Sequence, residues 1–472
     1  VGQRFALDLY ALNVDFQKVT TSGWNCAHSY NSVPPDPKYL DYISTCKSAG
    51  LLNFGTLPSK GDIAQGRQGL PEAEIRQYID DMEATQNIAF WNLPEEQRYW
   101  KPDEFDIVKN YAAWTRKYDG SKRPNYMYIP GHYSAKDVAK YVPYLDILPA
   151  SCYPNNNSTA NAYVRWSIER TFEGIAIAQA SVGRNYLVGD KTVMAILELF
   201  DEAGMSPEQS WHDFWLAVAS DVRGIHVYAY HYRRTSKRLD QCWLKLDEAA
   251  SKFSQAQLGR VLIEGQPLPS VAVQVTQGPQ RTPRFKTPDD TMVDYPAVKV
   301  LAKVLGGTAY LIAVNSSPSG LEARFSGLPS GAPSLTALWE GRSIPTSNQT
   351  FDDRFEPYGV HVYSMPVQAV IGDGGGAPAA DGGSEGHDGG LSATDAGVVS
   401  FDGGAQSPGH PVVVGPAENA NPSSVGDRAA SCGCFGGHRT ASLWEWSLLA
   451  AAFWLFSTKP RRLTRPGRLV RY

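Results

Sequence analysis

Eight short apolar runs, each followed by a turn and most then by an amphipathic segment, fill the first 260 residues or so and constrain the fold more than anything else in the chain. The runs are Phe5 to Tyr10, Trp24 to His28, Leu51 to Phe54, Ile88 to Trp91, Tyr126 to Pro130, Ile147 to Cys152, Thr192 to Leu199 and Gly224 to Tyr230. Helical spacing marks Pro71 to Thr85, Asp103 to Tyr118, Ala160 to Ser181 and Ser206 to Ser220, and Leu239 to Leu258 reads as a closing helix. Two of these open on helix-start signals, Pro71 followed by acidic residues and Ser206-Pro207-Glu208. Strand-helix alternation of this count and length predicts an α/β fold, a (β/α)8 barrel over residues 1–260. An open doubly wound sheet shares the alternation but calls for a Gly-rich phosphate loop after the first strand. Tyr10 to Gln17 contains nothing of the kind.

The pattern changes over 261–366. Val271 to Val275, Ala309 to Val314, Leu321 to Phe325, Leu335 to Trp339 and Val360 to Tyr363 are short, partly alternating strands between Gly, Pro, Ser and Asn clusters. They predict a small all-β sandwich, with one helix at Tyr295 to Leu305. Residues 367–431 are rich in Gly, Ala, Pro, Ser and Asp and cannot bury enough apolar surface to offset their ordering entropy, so a disordered linker is expected. A fourth segment, 432–472, holds two cysteines, an apolar run and a basic end.

Composition narrows the partners. With 472 residues the chain is long enough for a large core and an added domain. A net charge of −4 and no nucleic-acid motif argue against DNA or RNA. The 12 Trp and 24 Tyr suit flat hydroxylated ligands, which stack on aromatic rings. Cys26, Cys46, Cys152, Cys242, Cys432 and Cys434 lack zinc-ligand spacing apart from the terminal C-x-C, and H-E-x-x-H is absent, so neither a metal nor another cofactor is expected. The four cysteines of the first domain are either one or two disulfides of an exported chain or free buried thiols. The start at Val1-Gly2-Gln3 leads us to expect a removed secretory signal, and the chain is expected to be a monomer.

Barrels of this kind build their sites at the C-terminal ends of the strands. The residues there are Tyr10, then His28 and Tyr30, then Trp91, Asn92, Glu95 and Glu96, then Tyr153, Glu198, Tyr228, Tyr230 and His231. Glu95 and Glu96 stand behind an apolar strand and a turn proline, and Glu198 ends another apolar strand about a hundred residues later. In one parallel barrel these ends converge, so the carboxylates can face each other across a pocket. Paired carboxylates about 5–5.5 Å apart, one protonated and one ionised, carry out retaining glycoside hydrolysis. Trp91 would supply the apolar wall that raises the donor's pKa. Glu198 would be the nucleophile, held by Tyr228 or Tyr230, and the remaining residues of the ring would bind the sugar. Asp201 and Glu202 are rival acids ranked behind Glu198 because they fall in the following loop. The other reading has Glu95 and Glu96 opening a solvated loop against Arg98, with Glu198 in a structural ion pair.

Asn92-Leu93-Pro94-Glu95 and Ala195-Ile196-Leu197-Glu198 make the first 260 residues resemble the TIM-barrel glycoside hydrolases that carry a catalytic glutamate after strands four and seven. Asn315-Ser316-Ser317, Trp339-Glu340-Gly341-Arg342 and Phe355 to Tyr363 resemble the β-domain often appended to such barrels. The resemblance implies a glycosidase acting on a polysaccharide or oligosaccharide, with the acid after strand four and Glu198 as nucleophile. In the common motif Asn directly precedes its Glu, whereas Leu93 and Pro94 intervene here, so the choice between Glu95 and Glu96 stays open. The end of the chain sets Cys432 and Cys434 before the apolar run Ala441 to Phe456 and a cluster of Lys459, Arg461, Arg462, Arg465, Arg468 and Arg471. This order resembles the C-terminal sorting signals of myxobacterial surface proteins. It implies export, cleavage near one of the cysteines, and display at the cell surface or on the membrane. The run is short of the ~20 residues that span a bilayer and contains Glu445, so a tail anchor or an interfacial helix is the other reading. Two further readings of the whole are a catalytically inactive barrel that binds glycans and a structural envelope protein.

Overall fold

The computed structural model describes residues 4–29, 36–61, 66–153, 162–182, 191–200, 204–331 and 333–367. The expected linker and sorting segment lie outside the described residues from 368 onward, as do Tyr30, Asp201 and Glu202. Residues Val1–Gly375 form one compact unit.

Its first part is a closed barrel of eight parallel strands in sequence order, as the alternation predicts. These are β1 (Ala6–Tyr10), β2 (Cys26–His28), β3 (Leu52–Thr56), β4 (Ile88–Asn92), β5 (Asn125–Tyr126), β6 (Ile147–Cys152), β7 (Thr192–Glu198) and β8 (Gly224–Tyr228). The helices are α1 (Phe16–Thr21), α2 (Lys38–Ser48), α3 (Glu72–Ala84), α4 (Pro102–Tyr118), α5 (Ala135–Ala139), α6 (Tyr163–Val182), α7 (Pro207–Ala219), α8 (Tyr232–Thr235), α9 (Asp240–Gln255) and α10 (Leu258–Glu264). Period-two alternation sorts the side chains of each strand. In β1, Leu7 and Leu9 pack into the layer beneath the helices, while Ala6, Asp8 and Tyr10 face the barrel interior. Register then sets the height of each inward group: Tyr10 lies beside His28, Thr56 beside Asn92, and Glu198 beside Tyr228. α7 starts where Ser206 caps it reciprocally with Gln209 and Pro207 occupies the first turn.

Eleven strands follow: β9 (Gln266–Pro267), β10 (Ala272–Gln277), β11 (Phe285–Lys286), β12 (Met292–Val293), β13 (Val298–Leu305), β14 (Thr308–Asn315), β15 (Leu321–Ser326), β16 (Ser334–Ala337), β17 (Arg342–Pro345), β18 (Phe351–Phe355) and β19 (Val360–Pro366). A six-stranded sheet, β17-β16-β19-β14-β13-β9, packs on a three-stranded sheet, β10-β15-β18, around Phe325, Phe351, Phe355 and Tyr363.

The helix expected at Tyr295 to Leu305 is instead strand β13, paired antiparallel with β14 over all eight of its residues. The physical reason is burial on both faces. Val298, Val300, Ala302 and Val304 line the β-domain core, while Leu301 and Leu305 pack on the barrel. Apolar residues on both faces erase the alternation that identifies a strand. Lys299 and Lys303, on the barrel face, reach Glu169 at 3.3 Å and Asp221 at 2.7 Å. The fifth strand is also shorter than expected, ending at Tyr126 rather than Pro130. Cys26, Cys46, Cys152 and Cys242 are free buried thiols, which decides that open choice for the first domain.

Candidate active site at the barrel mouth

The C-terminal ends of β1 to β4 enclose a cleft of about 230 Å³ lined by Tyr10, His28, Thr56, Arg67, Asn92 and Glu95, among others. His28 Nε2 lies 3.2 Å from both Thr56 Oγ1 and Asn92 Nδ2. Burial, reinforced by nearby His226, pushes the His28 pKa well below its usual value, so this imidazole is neutral. Glu95 lines this cleft, and Tyr10 Oη donates to its carboxylate at 3.4 Å. Burial raises the Glu95 pKa, while His226, Arg67 and hydrogen bonds from Asn92 and Tyr10 pull it back. Glu96 takes the left-handed backbone region, φ 59°, and its N–H donates to Tyr128 O at 3.1 Å. Its pKa is raised by burial and by the charge of Glu95. Glu95 lines the cleft and Glu96 does not, which separates two acids that sequence left equivalent.

Glu198 ends β7 and is 3% exposed. Neither of its oxygens has a hydrogen-bond partner among the described residues. Burial first, and the charge of Asp213 on α7 second, push its pKa up to about 9. Its other electrostatic neighbour is Tyr163 at the start of α6. The groups that act on Glu95 are His226, Arg67, Asn92 and Tyr10, so the two carboxyls share no neighbour among those identified. Such a Glu198 holds its proton at neutral pH, the reverse of the state a nucleophile requires.

Two ring members are placed elsewhere. Trp91 faces the helix layer, fully buried, with its Nε1 donating to Asp119 Oδ2 at 2.8 Å, and so cannot wall the acid. It sits one residue out of phase: Phe90 and Asn92 take the inward positions of β4. Tyr230 lies beyond the end of β8, donates to Asp15 Oδ2 at 3.2 Å and packs on Trp243, so it cannot steady Glu198. Tyr153 and Tyr228 do reach the mouth. Tyr228 lies 5.0 Å from the Tyr10 ring and 6.2 Å from Tyr153, which in turn lies 6.2 Å from Tyr128 and 6.0 Å from Phe200. These rings form a continuous aromatic row that meets the cleft lining at Tyr10.

Sequence reasoning missed Asp8, His226, Thr56, Arg67 and Tyr128. Asp8 Oδ2 and His226 Nδ1 are 2.5 Å apart on adjacent strands inside the barrel, and the Tyr10 ring packs over His226 at 5.1 Å. Both belong to strands whose inward positions break an apolar pattern: Ala6-Leu7-Asp8-Leu9-Tyr10 and Gly224-Ile225-His226-Val227-Tyr228. That period-two interruption was a usable signal.

A second polar chain joins the barrel to the β-domain. His212 on α7 contacts Asp213 through Nδ1 at 2.8 Å and Ser316 Oγ through Nε2 at 2.9 Å. The distances suit nucleophile activation, but Ser316 and His212 are 3% and 0% exposed, so no substrate reaches them. Their role is to close a polar contact inside an interface built by α7 and β14. Ser316→Ala is expected to cost about 1–3 kcal/mol of stability in chemical denaturation, the penalty for orphaning a buried imidazole nitrogen. Turnover per folded molecule should stay unchanged. No cluster of three or more His, Cys, Asp or Glu suited to a metal ion occurs among the described residues.

No protein-family model and no curated protein matches this chain. Solved structures with a similar arrangement include a GH30 endoxylanase from Clostridium papyrosolvens, at 10% identity and a TM-score of 0.43, covering 77% of this chain and 96% of that one. A glycoside hydrolase family 30 subfamily 8 xylanase from Clostridium acetobutylicum matches at 12% identity and a TM-score of 0.47, with coverage of 77% and 96%. An alpha-amylase from Geobacillus thermoleovorans complexed with acarbose matches at 11% identity and a TM-score of 0.47, covering 78% of this chain and 100% of that one. At this level of similarity they bear on neither substrate nor mechanism.

Proposed function

We propose that this protein is a surface-displayed glycoside hydrolase that cleaves a polysaccharide or oligosaccharide, with Glu95 as its proton donor. The observation that carries the reading is the Glu95 carboxyl itself. It lies in a cleft at the C-terminal end of the barrel, its pKa raised by burial, among groups fit to bind sugar hydroxyls. A raised pKa keeps more of this carboxyl protonated at a given pH, and a protonated carboxyl can donate to a glycosidic oxygen as the bond breaks. Tyr10, Asn92 and Arg67 offer hydrogen bonds beside it, and the row of Tyr228, Tyr153 and Tyr128 that runs from Tyr10 outside the cleft lining offers further aromatic rings. Surface display rests on the C-terminal sequence, and protease shaving of cells that express the full chain tests it.

Glu198 is the second carboxyl of the proposed two-carboxylate, retaining mechanism. To attack a sugar carbon it must first lose its proton while Glu95 keeps its own. If Glu198 is the nucleophile the rate profile is therefore a bell, rising with ionisation of Glu198 or Glu95, whichever titrates first, and falling with the other. Hydrolysis of aryl glycosides and cell-wall polysaccharides by residues 1–375, with NMR of the first anomer released, tests both activity and stereochemistry. Glu198→Gln should then lose activity by several orders of magnitude.

The same variant has a stability signature. A carboxyl with a raised folded pKa imposes no cost below its unfolded value, a growing cost as pH rises above it, and the full cost at its folded pKa. From 4.5 to pH 7 the withheld ionisation amounts to about 3 kcal/mol, at roughly 1.4 kcal/mol per pH unit. Glu198→Gln should therefore be more stable than the parent by that order at pH 7 and nearly equal to it at pH 4. Equal stability of the two at pH 4 and pH 8 would show that Glu198 is not a buried neutral acid.

The separate surroundings of Glu95 and Glu198 favour one other reading, a barrel that binds glycans without cleaving them. Retention of polysaccharide on the protein with no reducing ends released at any pH from 4 to 9 would select it.

A further inference from the structure

A larger cavity, about 360 Å³, opens at the opposite, N-terminal end of the barrel. Its floor is apolar: Ala6, Leu52, Phe90, Ile147 and Met194 line it. Barrel interiors are normally closed by interlocking layers of bulky side chains. Here Ala6 is in register with Gly224, so two adjacent strands contribute a single methyl group between them. A Cβ at Gly224 would come within 3.3 Å of both Ala6 O and Met194 Cγ, a tight approach that a larger residue could take only if these neighbours gave way by a few tenths of an ångström. Ala6 and Leu52 belong to the interior cluster and still keep partial exposure, which means that solvent reaches the barrel floor from below.

Two cations stand at the rim. Arg4 precedes β1 and Arg223 precedes β8, and those strands are neighbours in the barrel. Arg223 Nη1 donates to Ile263 O at 2.8 Å. Arg4 is near enough to the Cys26 thiol, another lining group, to oppose the pKa rise that burial causes there. Neither guanidinium forms an ion pair among the described residues. An apolar chamber of small-molecule size beneath two uncompensated guanidiniums is complementary to a ligand with one anionic end and one hydrocarbon end.

The geometry points to a second binding site at the N-terminal end of the barrel, for a single-chain aliphatic carboxylate whose tail fills the floor and whose head lies between Arg4 and Arg223. The site is independent of the mouth and of any reaction there.

Calorimetric titration of the full chain with dodecanoate, below its micelle concentration, tests this. Saturable one-to-one binding is expected. Arg4→Glu combined with Arg223→Glu should weaken it at least tenfold while leaving dodecanol binding within twofold. Ala6→Phe should abolish binding of both by filling the floor. Leu52→Trp, which enters the cavity from the adjacent wall, serves if Ala6→Phe does not fold by circular dichroism. Absent or non-saturable binding, or binding indifferent to both filling variants, overturns the proposal. So does binding that appears only after Val1, Gly2 and Gln3 are removed, since that segment would then be the occupant.

Discussion

Glu95→Gln is expected to lower kcat by roughly 10²–10⁴-fold, the usual worth of a positioned general acid, with KM little changed. The amide keeps the shape that Tyr10 and Asn92 contact but has no proton to give at the moment the glycosidic bond breaks. Two further signatures separate loss of an acid from loss of a bonding partner. Substrates with an activated leaving group, such as a dinitrophenyl glycoside, need little protonation and should be nearly spared. The parent's kcat/KM should fall as pH rises through the raised pKa of Glu95, because the acid must be protonated to act, and that limb should vanish in Glu95→Gln. Stability should not fall, since the substitution removes a carboxyl whose charged form burial disfavours. Glu96→Gln is the internal control. Glu96 lies outside the cleft lining and is not among the groups that set the Glu95 pKa, so its removal should leave the pH limb in place and the maximum rate within a few-fold. Full activity of Glu95→Gln on an unactivated polysaccharide would remove Glu95 from the chemistry.

Much of this frame was legible in the chain, and the failures have physical causes. Strands buried on both sides announce themselves as short apolar runs, and seven of the eight barrel strands lie where such runs lie, while β5 meets its run, Tyr126 to Pro130, only at Tyr126. Which residues face inward is harder, because a strand end can be read one residue out of phase. Trp91 and Asn92 were both assigned to the mouth, yet successive side chains point to opposite faces and only Asn92 reaches His28. Tyr230 failed for another reason: the chain has already left β8 at Tyr228, so alternation no longer governs it. The helix expected at Tyr295 to Leu305 failed because two cores cover β13, one on each face. Glu198 was legible as a strand-end carboxyl, but the acid of α7 that shares its surroundings was not. Asp213 is fifteen positions away in sequence and comes near only through helix packing. Charge partners set by tertiary contacts leave no local signature.

His226→Ala is expected to destabilise the protein by about 3–5 kcal/mol, the cost of leaving a buried charge without its partner. Asp8 is fully buried inside the barrel, and burial raises its pKa while His226 pulls it down. Without the imidazole only a backbone hydrogen bond from Leu9 still opposes burial, so the carboxyl takes up a proton over a wider pH range. The sign of the pH dependence follows. A raised folded pKa leaves stability intact below the ordinary carboxylate value near 3.8 and erodes it as pH rises. The variant should therefore lose more stability than the parent between pH 4 and 7, and the two should approach each other in acid. Asp8→Leu combined with His226→Leu replaces both members by apolar groups of fair size and should recover most of the loss, because a buried pair is worth little against a packed core. If the double variant were as unstable as the sum of the singles, the pair would be two independent packing groups and no ion pair. The consequence extends upward to the mouth. His226 lowers the pKa of Glu95, so His226→Ala should move the acid limb of the rate profile to higher pH while Glu95 still works. A stability loss with an unmoved limb would confine His226 to the core, and a moved limb would make it the group that sets the working range of the proposed acid.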